Sequence, residues 1–235
     1  MKAGIIAAGS GERLRPVSAG LPKPMILVAG RPLCHWTASA LVAAGTDAIT
    51  LLHNSTGRAV RASLEDAFPA VHWTFLEADT ASSWESFRLV AASLASTEER
   101  FLLSTVDALI PPGEAARFGR EAFTGDAEAS LALTSFVDDE KPLWADLGPD
   151  GRVEALGPDA RGRKHVTCGL YALTRPLATQ TDAADFSSLR EWWIDLVRRG
   201  RRVRGVALTK TIDVDRPEDL VAAEAFALSE MEAAR

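Results

Sequence analysis

Residues 7–25 read AAGSGERLRPVSAGLPKPM, with three glycines, two arginines, three prolines and one lysine directly after a short apolar run. Glycines let backbone N–H groups come close to phosphate oxygens. Arg13 and Arg15 add positive charge, and Lys23 is a point cation between two prolines that stiffen its backbone. The combination predicts an anion cradle with a separate lysine arm, formed by Ala7, Ala8, Gly9, Ser10, Gly11, Glu12, Arg13 and Lys23, rather than a featureless surface loop. It is not the dinucleotide fingerprint, because no helix is expected directly after the glycines, and it lacks the GxxxxGK[ST] pattern of a P-loop.

Two acidic features stand far along the chain. Asp107 closes the apolar run FLLSTVD, where a carboxylate can serve a magnesium–nucleotide complex or simply a turn. Asp213 and Asp215 alternate in TIDVD, so on extended backbone they project to one side. Glu218 and Asp219 suit the first turn of a helix that starts at Pro217.

These groups need elements to hold them. Short apolar runs alternate with amphipathic stretches: strands at AGIIAAG, AITLLHN, VHWTFLEAD and RFLLSTVDALI, and helices at PLCHWTASALVAAG, GRAVRASLEDAF, SWESFRLVAASLAS and PGEAARFGREAF. That βαβ run predicts an α/β fold, a doubly wound, Rossmann-like, mixed but mostly parallel sheet with helices on both faces. The carboxyl ends of its strands, where Gly9 and Asp107 fall, are the ligand edge. From residue 127 follow a strand ASLALTSF, a hairpin DLGPDGRVEAL turning at Asp150-Gly151, a strand VTCGLYALT, a helix FSSLREWWIDLVRR, a strand VRGVAL and a last helix from Asp215 to Ala234. Residues 1–235 are expected to form one domain, since no Pro/Gly/Ser-rich boundary separates 1–125 from 126–235.

AAGSGERLRP…LPKPMILVAGRPL resembles the signature of the nucleotidyltransferase superfamily that makes sugar nucleotides and activated alcohols. That superfamily includes sugar-1-phosphate nucleotidylyltransferases and choline-phosphate and inositol-phosphate cytidylyltransferases. The resemblance implies a fold of the nucleotide-diphospho-sugar transferase type and transfer of NMP from an NTP to a phosphorylated sugar or alcohol, with release of pyrophosphate. It implies that the glycine loop cradles the triphosphate, that Arg13 stabilises the leaving pyrophosphate, and that Lys23 contacts the reacting phosphates. RFLLSTVDALI is similar to the superfamily's strand ending in a metal-binding aspartate, and TIDVDRPEDL to its C-terminal acidic segment. Asp107, Asp213 and Asp215 are therefore the implied ligands of Mg²⁺ (or Mn²⁺), which makes 1–125 the implied NTP-binding half and 126–235 the acceptor-binding half with the second metal ligand. Sugar-type members favour Asp213 as the principal partner and cytidylyltransferases favour Asp215.

Ser83 stands near a turn that in relatives contacts base or substrate, and it or Ser82 also suits a helix N-cap. TCGLYAL resembles the strand beside the acceptor, where Gly169 would allow close approach. Many relatives carry an acceptor-gripping lysine after the hairpin. This chain has GPD there, so Lys164, Arg161 or Arg163 is the expected substitute, and Trp144 is the tryptophan expected to stack on a ligand. Similarity of RFLLSTVD and IDVDRPEDL to the shorter cytidylyltransferases points to CTP before UTP, dTTP or GTP.

The bulk properties agree. The net charge of −6 excludes a global field for nucleic acid or an anionic membrane, and the basic RRGRRVR reads as a helix end followed by a charged edge strand. Cys34 and Cys168 lie far apart without metal-ligand spacing, which fits buried thiols in a reducing compartment. No signal peptide or membrane-length apolar run is seen, so a cytoplasmic protein is expected, monomeric or homo-oligomeric. A glycosyltransferase of related fold and a non-catalytic nucleotide-binding regulator are the rival classes. PKP and the late DVD argue against the first, and the joint presence of Arg13, Lys23, Asp107 and Asp213 argues against the second.

Overall fold

The structure is a computed structural model that describes residues 1–136, 141–180 and 186–233. The strands are β1 (Lys2–Ala7), β2 (Leu27–Val28), β3 (Arg31–Pro32), β4 (Ala48–His53), β5 (His72–Glu77), β6 (Arg100–Thr105), β7 (Ala108–Leu109), β8 (Ala129–Thr134), β9 (Trp144–Leu147), β10 (Val153–Leu156), β11 (His165–Thr174), β12 (Val203–Leu208) and β13 (Ile212–Asp213). The helices are α1 (Leu33–Ala43), α2 (Ala59–Ala67), α3 (Ser83–Ala95), α4 (Pro112–Glu121), α5 (Arg175–Ala178), α6 (Leu189–Arg198) and α7 (Pro217–Ala233). Residue 234, the expected end of the last helix, lies outside the described residues.

The main sheet runs β10-β9-β11-β6-β1-β4-β5, with β8 on the other edge of β11 and β12 beyond it. β6, β1, β4 and β5 are parallel; the continuous apolar runs of β1, β4 and β6 fit helices on both faces, while β5 at the edge is half-exposed. β11 is antiparallel to β6, β8 and β9, and β12 is parallel to β8. The sheet is therefore mixed and mostly parallel. After β1 the chain winds outward through β4 and β5, then returns so that β6 lies on the other side of β1. The strand order reverses between β1 and β6, which is where doubly wound sheets bind ligands.

Three apolar clusters hold this frame. One packs α3 and α6 on one sheet face through Phe87, Val90, Leu94 and Trp193. A second packs α1, α2 and α4 on the other through Leu41, Leu64 and Phe118. The third lies beyond the strand ends and joins Leu14 and Ile26 of the opening loop to Trp36, Ile212, Val214 and Phe226. Burial of each such aliphatic side chain stabilises by about 1.5–3 kcal/mol, so this cluster ties the loop firmly to the C-terminal segment.

Two expectations are corrected. The opening stretch is not wholly irregular, because Glu12–Val17 and Lys23–Met25 form short 3₁₀ turns. Leu14 is the anchor: its burial rewards a tight turn that leaves Arg13 and Arg15 outside. The strand expected over 100–110 ends at Thr105, and Asp107 sits in the turn between β6 and β7. No described helix is long and apolar enough to cross a membrane.

Candidate active site

A cleft of about 620 Å³ opens at the carboxyl ends of β1 and β6. Gly9, Ser10, Gly11, Glu12 and Arg13 form one wall and Lys23 projects into it. Gly11 adopts φ +61°, and a Cβ there would stand 2.8 Å from Lys23 Cβ. Only glycine lets the loop lie this close against the base of the lysine arm.

Lys23 is the centre of the charge arrangement. Its Nζ donates to Asp107 Oδ2 at 2.7 Å and to Asp215 Oδ1 at 2.5 Å. Arg13 donates to the other oxygen of Asp215 at 3.0 Å. The Lys23 side chain is 9% exposed, against 61% for Arg13. Burial opposes the Lys23 charge, but the two carboxylates outweigh it and hold its ammonium above the usual lysine range. Burial likewise presses Asp107 upward, and Lys23 overrides it to keep the carboxyl below its ordinary value.

Local alternation brings the late aspartates here. Ile212 and Val214 are buried in the third cluster, so Asp213 and Asp215, between and after them, face the cleft. β13 pairs antiparallel with β7, placing Asp213 opposite Ala108, and Val214 N–H donates to the Asp107 carbonyl at 3.0 Å. Asp219 has a separate task. Its carboxylate accepts from the backbone N–H of Asp215 at 2.9 Å and of Arg216 at 2.8 Å, which fixes the start of α7.

The implied metal reading narrows on this geometry. Among the described residues no group of three acidic, histidine or cysteine side chains is placed to hold an ion. Asp107 and Asp215 do converge on one cation, the Lys23 ammonium, which shows that their oxygens can share a positive charge. Two carboxylates completed by phosphate oxygens and water are a donor set that fits Mg²⁺. Asp213 lines the cleft beside them.

Ser83, Gly169 and Tyr171 line the same cleft. Ser82, not Ser83, is the N-cap of α3, accepting from Glu85 N–H at 3.2 Å. The Ser83 hydroxyl instead accepts from Leu189 N–H at 3.1 Å and joins α3 to the start of α6. Gly169 has φ +71°, and a Cβ there would meet Thr105 Oγ1 and stand 2.8 Å from Ala108 Cβ, so glycine here lets β11 lie close against the turn that carries Asp107.

Three expected contacts are corrected. Ala7 ends β1 in the core and does not line the cleft, while Ala8 borders a neighbouring recess, its carbonyl accepting from Asn54 Nδ2 at 3.1 Å. Lys164 precedes β11 and is exposed. Thr167, Gly169 and Tyr171 are the β11 residues that reach the cleft, and Lys164 is out of phase with them. Arg161 and Arg163 are also exposed and away from it. Trp144 fails for the same reason: its predecessor Leu143 faces the cleft, and Trp144 points to the other side.

The structure adds residues that sequence reasoning did not single out. Thr105 and Tyr171 each stand two positions from a chosen residue, but the turn at Asp107 and the irregularity at Gly169 break the alternation that would have pointed to them. Trp193 and Arg190 also line the cleft, although Trp193 lies on the apolar stripe of α6. Asp79, just past β5, borders the recess of about 500 Å³ beside the glycine loop. The strand-end rule applied to β5 would have named it.

A reversed strand order with a glycine loop, a lysine and paired carboxylates at the reversal defines a doubly wound α/β fold whose cleft lies where such sheets bind ligands. Residues 2–72 match the family model described as Nucleotidyl transferase. Over 66 residues the chain is 46% identical to the N-acetylmuramate alpha-1-phosphate uridylyltransferase of Neisseria meningitidis serogroup B, covering 28% of this chain and 29% of that protein. Over 185 residues it is 28% identical to the glucose-1-phosphate thymidylyltransferase of Streptomyces antibioticus, covering 74% of this chain and 49% of that one. The chain thus spans about half the length of the second relative, and less of the first. Among solved structures, the inositol-1-phosphate CTP transferase from T. maritima superposes with a TM-score of 0.80 at 21% identity, over 96% of this chain and 94% of that one. Residues 2–72 thus match the nucleotidyl transferase model, and the chain as a whole shares its fold with the solved inositol-1-phosphate CTP transferase.

Proposed function

We propose that the protein transfers NMP from an NTP to a phosphorylated sugar or alcohol and releases pyrophosphate. The observation that carries this reading is the meeting of Lys23, Asp107, Asp215 and Arg13 beside the glycine loop. A phosphate monoester has its second pKa near ~6, so the attacking oxygen is already anionic at neutral pH and no general base is required. The work left to the protein is positioning and charge stabilisation. In this reading the β- and γ-phosphates lie against the N–H groups of residues 9–13 and the Arg13 guanidinium, which stabilise the charge of the departing pyrophosphate. Lys23, released from its two carboxylates, turns its ammonium to the α-phosphate, where charge accumulates during transfer. Asp107 and Asp215 would hold Mg²⁺ (or Mn²⁺), which when bound supplies further neutralisation of the phosphates.

The relatives differ in base, naming uridylyl, thymidylyl and CTP transfer. The recess beside the loop supports CTP for this chain. Asp79 borders it, and Ser55 occupies only its Oδ1, donating from N–H and hydroxyl at 3.0 Å each. Among the described residues Oδ2 takes no hydrogen bond, and a carboxylate oxygen is a matched acceptor for the exocyclic amino group of cytosine.

The test is a pyrophosphate-release screen of CTP, UTP, dTTP and GTP against phosphorylated sugars and polyols, with Mg²⁺ and with EDTA. Release with CTP as the best substrate, lost in EDTA, is expected. Asp79→Asn replaces a pure acceptor with an amide that also donates, and is expected to shrink the CTP-over-UTP ratio about tenfold. Formation of NDP from an NDP-sugar would favour the glycosyltransferase reading, and NTP binding without turnover would favour the regulator.

A further inference from the structure

The basic run RRGRRVR at 198–204 lies outside the cleft described above. Most of its charge is already answered. Arg198 pairs with Asp159 at 2.7 Å, Arg199 with Asp195 at 2.8 Å, Arg201 with Glu128 at 3.1 Å and Arg202 with Asp126 at 3.1 Å. Among the described residues this pairing leaves no extended basic face for a nucleic acid strand. Arg204 differs. It is only partly exposed, its Nε is buried without a partner, and among the described residues its guanidinium enters no hydrogen bond or ion pair. Arg152 stands opposite it across an isolated antiparallel bridge, which sends both side chains to one face. Its guanidinium donates to the Gly200 carbonyl at 2.8 Å and, among the described residues, meets no carboxylate.

Both arginines wall a recess of about 370 Å³, together with Arg202, Asp126, Asp150 and Gly125. The recess lies at the amino ends of β8 and β12. These strands run parallel to β6, because β11 is antiparallel to both β6 and β8. It therefore opens at the end of the sheet opposite the candidate active site. Arg202 and Asp126 offset each other, and the Asp150 Oδ1 accepts from Arg152 N–H at 3.0 Å. Arg152 and Arg204 leave the lining one positive charge in excess. The Arg204 guanidinium is also fixed in place. It lies over Gly151, where an added Cβ would stand 3.7 Å from Cζ and Nη1, and Gly205 N–H donates to the Gly151 carbonyl at 2.9 Å. With Nε buried, the two Nη nitrogens are its donors open to a ligand.

We propose that this recess is a second ligand site, separate from the cleft, and that it binds the phosphoryl group of a small phosphate compound between Arg152 and Arg204. Two guanidinium forks on one face supply the several N–H donors that three phosphoryl oxygens accept. A partly buried cation without a counter-charge is costly, and a bound dianion offsets that cost. The volume falls at the low end of small-molecule sites, so a pentose-sized body fits beside the phosphoryl group.

The experiment is a ¹⁵N–¹H titration of the full chain with inorganic phosphate and with D-ribose 5-phosphate, at ionic strength held constant with sodium chloride. The backbone amides of Gly125, Asp150 and Val203 report on the recess, and those of Gly9 and Gly11 on the cleft. The recess resonances are expected to move and saturate. In Arg204→Gln and in Arg152→Gln the affinity read there falls about 10-fold, the scale for a charge-assisted hydrogen bond, while the response at Gly9 and Gly11 and the melting temperature are unchanged. Arg204→Lys keeps the charge without the fork and recovers only part of the loss. Tighter binding of ribose 5-phosphate identifies an ester as the ligand, and equal binding identifies the free ion; the site stands in both cases. Wild-type recess resonances that stay in place, or that respond equally to chloride, would overturn the site without recourse to any variant. Undiminished affinity in both folded glutamine variants would do the same. None of these readings depends on nucleotidyl transfer, which the pyrophosphate screen measures separately.

Discussion

Lys23 explains how one residue connects three distant stretches of chain. Its ammonium lies between Asp107 and Asp215, 84 and 192 positions away. A buried lysine keeps its charge only where carboxylates compensate for lost water, and here they do so with two short hydrogen bonds. In the proposed transfer the same cation follows the charge that develops at the α-phosphorus. Lys23→Ala and Asp107→Ala are each expected to lower kcat by roughly 10²–10⁴, the scale for preorganised electrostatic groups. Pyrophosphate release under saturating CTP and acceptor measures this, and near-wild-type kcat in both variants would remove the cluster from the chemistry. Lys23 was legible from its neighbours, since a lysine between two prolines after a glycine loop has few other reasons to exist. Its partners within the cluster were not, because alternation says that Asp213 and Asp215 share a side but not which of them meets the lysine.

At the scale of elements, the site depends on close approach at two glycines. β11 shifts register between Thr167 and Tyr171, and Gly169 at φ +71° sits within that irregularity. The strand bends against the turn that carries Asp107, and any side chain there would push on Thr105 and Ala108. Gly169→Ala combines a left-handed backbone with a steric conflict, so it is expected to cost roughly 1–3 kcal/mol of stability. Urea unfolding reads that loss as a lower midpoint at unchanged m-value. An unshifted midpoint would mean that β11 relaxes without penalty. The element types themselves followed from hydrophobic period, as with the helix expected in SWESFRLVAASLAS, which forms over Ser83–Ala95 and buries Phe87, Val90, Ala91 and Leu94 along one face. Side-chain direction was harder to read in the irregular second half. Lys164 and Trp144 were assigned to the acceptor by proximity in sequence, and strand phase sends both elsewhere.

For the whole molecule, packing on both faces of one sheet sets what is reactive and what is inert. Cys34 on α1 and Cys168 on β11 belong to the same apolar layer. Burial pushes the Cys34 thiol up to about 12, and burial with Asp213 nearby pushes that of Cys168 higher still. Neither forms thiolate near neutral pH, and the thiolate is the reactive species. Ellman's reagent at pH 8 is therefore expected to leave both thiols untouched in the native protein and to modify both in guanidinium. Prompt reaction of the native protein would show that this layer opens readily. From local pattern alone came the alternating elements, the parallel half of the sheet, the phosphate-type loop and the acidic residues with chemical potential, because period, glycine freedom and charge act over a few residues. The reversal that sets β6 beside β1, the docking of β13 on β7, the pairing of Asp107 with Asp215 through Lys23, and the placing of Trp193 rather than Trp144 at the cleft wall came only from the tertiary structure. Those depend on which buried surfaces fit together across the chain, and no local signal carries that information.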